Sequence, residues 1–407
     1  MNKKILYISL GVIALIAIGV GTFFLLRPSP NTPSLGVDTP FGAGDGQTVS
    51  GNRAENPNLI GLADQPVSGL QKISSAPISG ATIFMRASTT LVRYMDKATG
   101  NIFEFDTSNN SNTRVSNTTL PKISEVVWGE NGNTLFARSI RDGSLQTFAG
   151  LLATSSTSSA EGRLEGSYLQ TIATAFVSSP DKKKTFYLEN NAEGIAGYLA
   201  NSLGREGKAL WSFPARQWNL SWPKEETIFL NTKASSLSEG FLYALNVKTG
   251  GLSPVLGRIN GLTSLVSPNG ENILYSDSKN NSLSLHLYDA NTNAESLVSF
   301  STLPEKCAWI TVARFICGVP SEKLAGNLPD SWHTGNISFT DNLEAVDVVV
   351  LPSDDPNRVI DGSFNLSQEA NEPVDAINLK ASPDKTMLIF ENKKDFSLWI
   401  LPLSSVR

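Results

Sequence analysis

The sequence is poor in the residue types that most site chemistry requires. Its 407 residues include two cysteines and two histidines. The pair Cys307 and Cys317 is too small for a disulfide-built scaffold or a cysteine-rich zinc site. With only His286 and His333, there is little material for imidazole metal centres or for a base that activates a nucleophile. Also missing are the Gly-x-Gly-x-x-Gly and Gly-Lys-Ser phosphate loops, the Ser-x-Asp-x-Gly-x-x-Trp box and the ligand spacing of an EF-hand. No catalytic residue, cofactor or metal site is therefore assigned, and the expectation is a protein that is not an enzyme.

Charge is scarce as well. Asp, Glu, Lys and Arg make up 17% of the chain, and the net charge is −5 with no basic run. Nucleic-acid binding draws on clustered Lys and Arg to neutralise phosphates, so a nucleic-acid partner is excluded.

Long apolar runs are absent with one exception, Ile5 to Leu26, which carries no charge. At about 1.5 Å per residue the run spans roughly 33 Å, enough to cross a hydrocarbon core of ~30 Å. It reads as a transmembrane anchor over residues 1–27. Lys3 and Lys4 precede it against Arg27 alone after it, which places the N-terminus in the cytoplasm and the rest outside. A cleaved signal peptide fits less well, because the run exceeds the usual 7 to 15 residues and no small-residue cleavage pattern follows. Residues 28–65 are dense in Pro, Gly, Ser, Asn and Thr, too apolar-poor to offset the cost of ordering. They read as a flexible tether with a reach of about 35 Å.

Beyond the tether, over residues 66–407, the chain repeats itself. VVWGENGNTLFA, FVSSPDKKKTFYL, LSWPKEETIFL, LVSPNGENILY and KASPDKTMLIF align, each with an apolar triplet shortly after a Pro or Gly turn. Pro180, Pro223 and Pro268 fall 43 and 45 residues apart, and Gly129 lies 51 before Pro180. Each unit offers a short strand, a turn, and a second strand rich in β-branched and aromatic residues. Alternating segments such as SLSLHLYDANTN supply a third strand, and AESLVSF a fourth. Four strands repeating at this period predict an all-β fold, a β-propeller. Seven units are counted: 76–120, 121–171, 172–214, 215–259, 260–302, 303–372 and 373–405. Six or eight also fit, because the first and sixth lack the Ser-Pro turn. The last unit ends after FSLWILPL without a fourth strand, and Val67 to Ser74 is expected to close it.

The turns Ser179-Pro180-Asp181, Ser267-Pro268-Asn269 and Ser382-Pro383-Asp384 resemble those of TolB-like and WD-repeat-like bacterial propellers, although the Trp-Asp dipeptide is absent. The resemblance covers residues 67 to 405. It implies a toroid at the cell envelope that binds proteins or other ligands at one face, and it carries no catalytic residues.

The longest departure from the repeat is LPDSWHTGNISFTDN, where Asp330, Trp332 and His333 would form a small polar and aromatic binding patch. The bland alternative has Trp332 packing the loop down and His333 in solvent. His286 alternates onto the polar side of a strand, and Asp354, Asp355 and Asp361 read as a turn rather than a cation site. Trp128, Trp222 and Trp309 recur early in their units, which assigns them to inter-blade core. Trp211 and Trp218, with Arg205, Lys208 and Arg216, read as ordinary packing or a basic and aromatic edge. Cys307 and Cys317 would form one bridge in an extracytoplasmic domain, or else remain two buried thiols.

The expected function is a membrane-anchored binding or scaffolding module for a protein partner or surface polymer. Two alternatives make different demands on the surface. An envelope hydrolase acting on glycans or peptides would gather Asp, Glu or His at the mouth of the central channel. A subunit of a secretion or pilus machine would expose a large apolar patch.

Overall fold

The computed structural model describes residues 66–141, 143–153, 162–170, 172–348 and 360–406. The apolar run Ile5 to Leu26, the tether, and Asp354 and Asp355 fall outside them. Among the described residues no helix is long and apolar enough to cross a membrane.

Seven four-stranded antiparallel sheets account for all the named strands. Blade one comprises Ile78–Arg86, Thr89–Asp96, Ile102–Asp106 and Ser111–Ser116. Blades two to six follow in chain order, each pairing first strand to second, second to third and third to fourth. The first strands of neighbouring blades lie side by side, which places them around the centre of the ring. In blade seven the outermost strand is Gln71–Ser74, paired antiparallel with Leu398–Pro402. The N-terminal strand thus closes the ring, as the missing fourth strand of the last unit requires, and the closure leaves no long open edge between first and last blades.

The Ser-Pro turns recur because one side chain completes each of them. In blade five the Ser267 hydroxyl donates to Asn269 Oδ1 at 2.7 Å and accepts from the Asn272 backbone N–H at 2.9 Å. Ser179 and Ser382 make the same pair of contacts, Ser179 to Asp181 and the Lys184 N–H, Ser382 to Asp384 and the Met387 N–H. Ser267 is fully buried. Ser267→Ala is expected to destabilise the domain by about 1 to 3 kcal/mol, the cost of stranding a buried polar group. A urea midpoint unchanged from the parent would show the turn to be set by Pro268 and Gly270 alone.

Neighbouring blades are joined by indoles. Trp128 donates from Nε1 to the Gly80 carbonyl at 3.1 Å, and Trp309 to the Leu265 carbonyl at 3.3 Å, each reaching the first strand of the preceding blade. Gly80 sits at φ +146, and a Cβ there would meet the Val126 carbonyl at 2.7 Å, so glycine is required where the two strands converge. Trp222 is likewise buried. Trp211 and Trp218 meet edge to face with centroids 5.6 Å apart inside an aromatic cluster with Phe213 and Tyr243, which is packing rather than a surface platform.

In blade six the first two strands, Cys307–Thr311 and Arg314–Pro320, place Cys307 opposite Cys317. The two sulfurs are joined in a disulfide. The bridge lies in an apolar cluster with Leu274, Phe315 and Val346.

Candidate functional site

Because strands alternate in direction, every loop from second to third strand and every link from blade to blade emerges on one face. On that face the second-to-third loops span two to six residues in six of the blades. In blade six the same loop is residues 321–340 and holds a four-residue helix, Asp330–His333. This insertion lies across the face. The Asp330 carboxylate accepts from the backbone N–H and the hydroxyl of Ser236 in blade four, at 2.7 and 2.8 Å. The Ser278 hydroxyl of blade five donates to the Leu328 carbonyl at 2.7 Å, and the Lys393 ammonium of blade seven donates to the Trp332 carbonyl. Three other blades therefore hold the segment down. Burial would raise the Asp330 carboxyl, but the bonds from Ser236 outweigh it and hold it below the ordinary carboxylate value.

Beneath the insertion is a buried ionic cluster. Lys306, Asp341 and Asp375 have fully buried side chains. The Lys306 ammonium donates to Asp341 Oδ2 at 2.7 Å, to Asp375 Oδ1, and to the Ala376 carbonyl at 3.2 Å. Asp375 in turn accepts from the Trp332 indole and from the Phe339 N–H, each at 3.0 Å on Oδ2. Asp341 Oδ2 also accepts from the Ala376 N–H at 2.6 Å, while its Oδ1 has no partner among the described residues. Lys393 stands over the Trp332 ring, 4.1 Å from its centroid, and burial lowers its ammonium. Two carboxylates and one lysine thus clamp the C-terminal half of the inserted segment, at Trp332 and Phe339, to blades six and seven.

Above the cluster opens a cavity of about 820 Å³ lined by Arg216, Trp218, Lys233, Glu305, Asp330 and His333 among others. Its walls come from blades three, four and six and from the insertion, which only the axis of the ring brings together. His333 Nε2 lies 3.0 Å from Glu305 Oε1. Arg216 and Lys233 are exposed on the blade-four side. The cavity lining therefore carries charges of both signs.

The three residues singled out from the sequence share one helix but separate in role. Asp330 and His333 line the cavity, whereas Trp332 is buried and packs with Leu283, Leu303, Leu328 and Phe339. His286 is largely covered, stacked on Tyr275 with centroids 4.9 Å apart, and pairs with Glu295 at 2.9 Å. Sequence reasoning missed Lys306, Asp341 and Asp375. The signal available was a charged residue immediately before a short apolar stretch, as in Asp375 before Ala376-Ile377 and Lys306 before Cys307-Ala308. Among the described residues no group of three or more His, Cys, Asp or Glu could hold a metal ion.

The fold defines the chain as a seven-bladed β-propeller. No protein-family model matches it, and no curated protein sequence does. Solved structures do match. An oligogalacturonate lyase in complex with manganese aligns over 84% of this chain and 96% of its own, with a TM-score of 0.51 and 12% identity. The tricorn protease aligns over 84% of this chain and 34% of its own, with a TM-score of 0.50 and 9% identity. TolB from Acinetobacter baumannii aligns over 76% of this chain and 62% of its own, with a TM-score of 0.40 and 10% identity. The chain thus spans under two thirds of the length of two of these three. Likeness at such identity is likeness of fold, and the same toroid carries unrelated functions.

Proposed function

We propose that this protein is a membrane-anchored, extracytoplasmic propeller that binds a protein partner through the face carrying the blade-six insertion. One observation supports the reading above the others: an insertion fastened to blades four, five and seven builds a mouth whose lining brings Arg216 and Lys233 together with Glu305 and Asp330. Loops fixed by a rigid frame are where such scaffolds carry specificity, and charges of both signs at a rim steer encounter and set orientation. Among the described residues the exposed large apolar ones, Ile140, Leu151, Ile172, Leu237, Leu297, Val312 and Phe396, are spread over six blades, which gives an assembly-machine reading no support.

The test is crosslinking in intact cells followed by purification of the full-length protein and peptide mapping. Links are expected to fall on residues 214–217, 233–238 and 321–340. Arg216→Glu combined with Lys233→Glu is expected to lower recovery of the linked protein at least tenfold. Links confined to the opposite face would overturn the assignment. A membrane-impermeant protease that leaves the domain intact on whole cells would overturn the outward placement.

The hydrolase reading keeps one supporting observation, the gathering of Glu305, Asp330 and His333 at the mouth. Asp330 is committed to Ser236, which weakens it as an acid or base. Turnover of glycan or peptide substrates that is abolished by Glu305→Gln would favour that reading.

A further inference from the structure

A second cavity, of about 490 Å³, opens on the same face between blades four and five. Its volume lies within the 300 to 1,000 Å³ typical of ligand clefts. Six residues give it its chemistry: Arg258, Asn260, Asp277, Lys279, Asn280 and Asn281. We propose that it is a binding site for an acidic saccharide, a sugar bearing both a carboxylate and neighbouring hydroxyls. The site is separate from the mouth and does not depend on the partner reading.

Three observations carry the proposal. The first is the backbone at Arg258. In the fourth strand of blade four, Gly240 pairs with Ile259 and Phe241 with Gly257, so Arg258 is the extra residue of a β-bulge. It sits at φ +60, the left-handed conformation that glycine adopts without cost. A bulge re-aims a side chain, and the residue re-aimed here is an arginine on the cavity wall. Among the described residues its guanidinium has no ion pair, and its planar fork matches a carboxylate.

The second is Asp277. Its side chain is 10% exposed, its Oδ2 takes the Lys279 ammonium at 2.5 Å, and its Oδ1 has no hydrogen-bond partner among the described residues. The carboxylate lies in the cavity wall beside the exposed Lys279 ammonium, and a sugar hydroxyl would donate to it there through Oδ2. The third is the amide lining. Asn260, Asn280 and Asn281 each offer a donor and an acceptor, the pattern that adjacent hydroxyls complement. A multiply charged anion such as phosphate would meet the Asp277 carboxylate, whereas a single carboxylate beside hydroxyls satisfies Arg258 and Asp277 together.

Arg258→Gly provides the test. A residue kept for structure would be improved or unaffected by glycine at this φ, so thermal stability is expected to stay level or rise while binding falls. Titration calorimetry on the full-length protein compares a glucuronic-acid disaccharide, its carboxyl-reduced neutral counterpart, and inorganic phosphate. The acidic disaccharide is expected to bind, with the neutral one and phosphate each at least tenfold weaker. Arg258→Gly is expected to lose at least tenfold in affinity for the acidic disaccharide, and Asp277→Asn is expected to weaken both disaccharides. Equal affinity for the acidic and neutral sugars, tighter binding of phosphate, full retention by Arg258→Gly, or no binding of any probe would each overturn the proposal.

Discussion

Lys306→Met is expected to cost the propeller about 3 to 5 kcal/mol, because it removes one partner of a buried ion cluster and leaves two carboxylates stranded. Both carboxylates are fully buried, so water cannot replace the ammonium. Asp375 also holds the Trp332 indole and the Phe339 N–H, and repulsion between unpaired Asp341 and Asp375 acts directly on those bonds. The loss should therefore appear twice: as a lower midpoint in chemical denaturation, and as faster limited proteolysis within residues 321–340. Adding Asp341→Asn to Lys306→Met removes one of the two stranded charges and should recover part of the loss. A midpoint change equivalent to less than about 0.5 kcal/mol would show that the cluster orders the insertion without stabilising the fold. Retained stability with cleavage confined to the insertion would place the role of Lys306 in the site alone.

Much of the blade architecture is legible in the sequence, and the reason is physical. A blade is a unit that cannot bury its faces alone, so the same turn and strand chemistry recurs. Ser179, Ser267 and Ser382 mark the turns because each hydroxyl closes the same pair of hydrogen bonds. Trp128 and Trp309 mark the seams because each indole needs a carbonyl on the adjacent first strand. The third strand read within Ser282 to Asn293, ahead of an Asp-Ala-Asn-Thr-Asn turn, runs to Asp289, which starts that turn by accepting from the Asn291 N–H. The fourth strand read as Ala294 to Phe300 is shorter, Ala294–Leu297. The ionic cluster was illegible because Lys306, Asp341 and Asp375 lie up to 69 residues apart and only the ring brings them together. Asp330, Trp332 and His333 are adjacent in sequence, yet a single helical turn sends the indole downward and the other two side chains to the mouth. The Arg258 cavity is hidden for a different reason: a bulge has no composition signal when its left-handed residue is not glycine.

Acidification is expected to tighten the insertion rather than loosen it, through Asp341. Burial is the largest influence on this carboxyl and pushes it up to about 6; attraction and hydrogen bonding from Lys306 oppose the rise, and the nearby Asp375 carboxylate adds to it. In the unfolded chain an Asp titrates near 3.9. The folded value is the higher one, so the folded state holds this proton more tightly. The contribution is fully present below about pH 4 and is lost as pH rises through 6. A difference of about two pKa units corresponds to roughly 3 kcal/mol. Other carboxyls act in the opposite direction, since Glu104, Asp330, Asp384 and Asp395 are all held below their ordinary values and lose stabilisation on acidification. The readout is accordingly a difference: the unfolding free energy of the parent less that of Asp341→Asn, measured from pH 4 to pH 7. That difference should fall by about 2 kcal/mol across the range, with its steepest part between pH 4 and 6. A difference independent of pH would mean that Asp341 is ionised throughout, with Lys306 outweighing burial. The cluster beneath the insertion would then be a fixed clamp, and the mouth above it would keep one shape across this pH range.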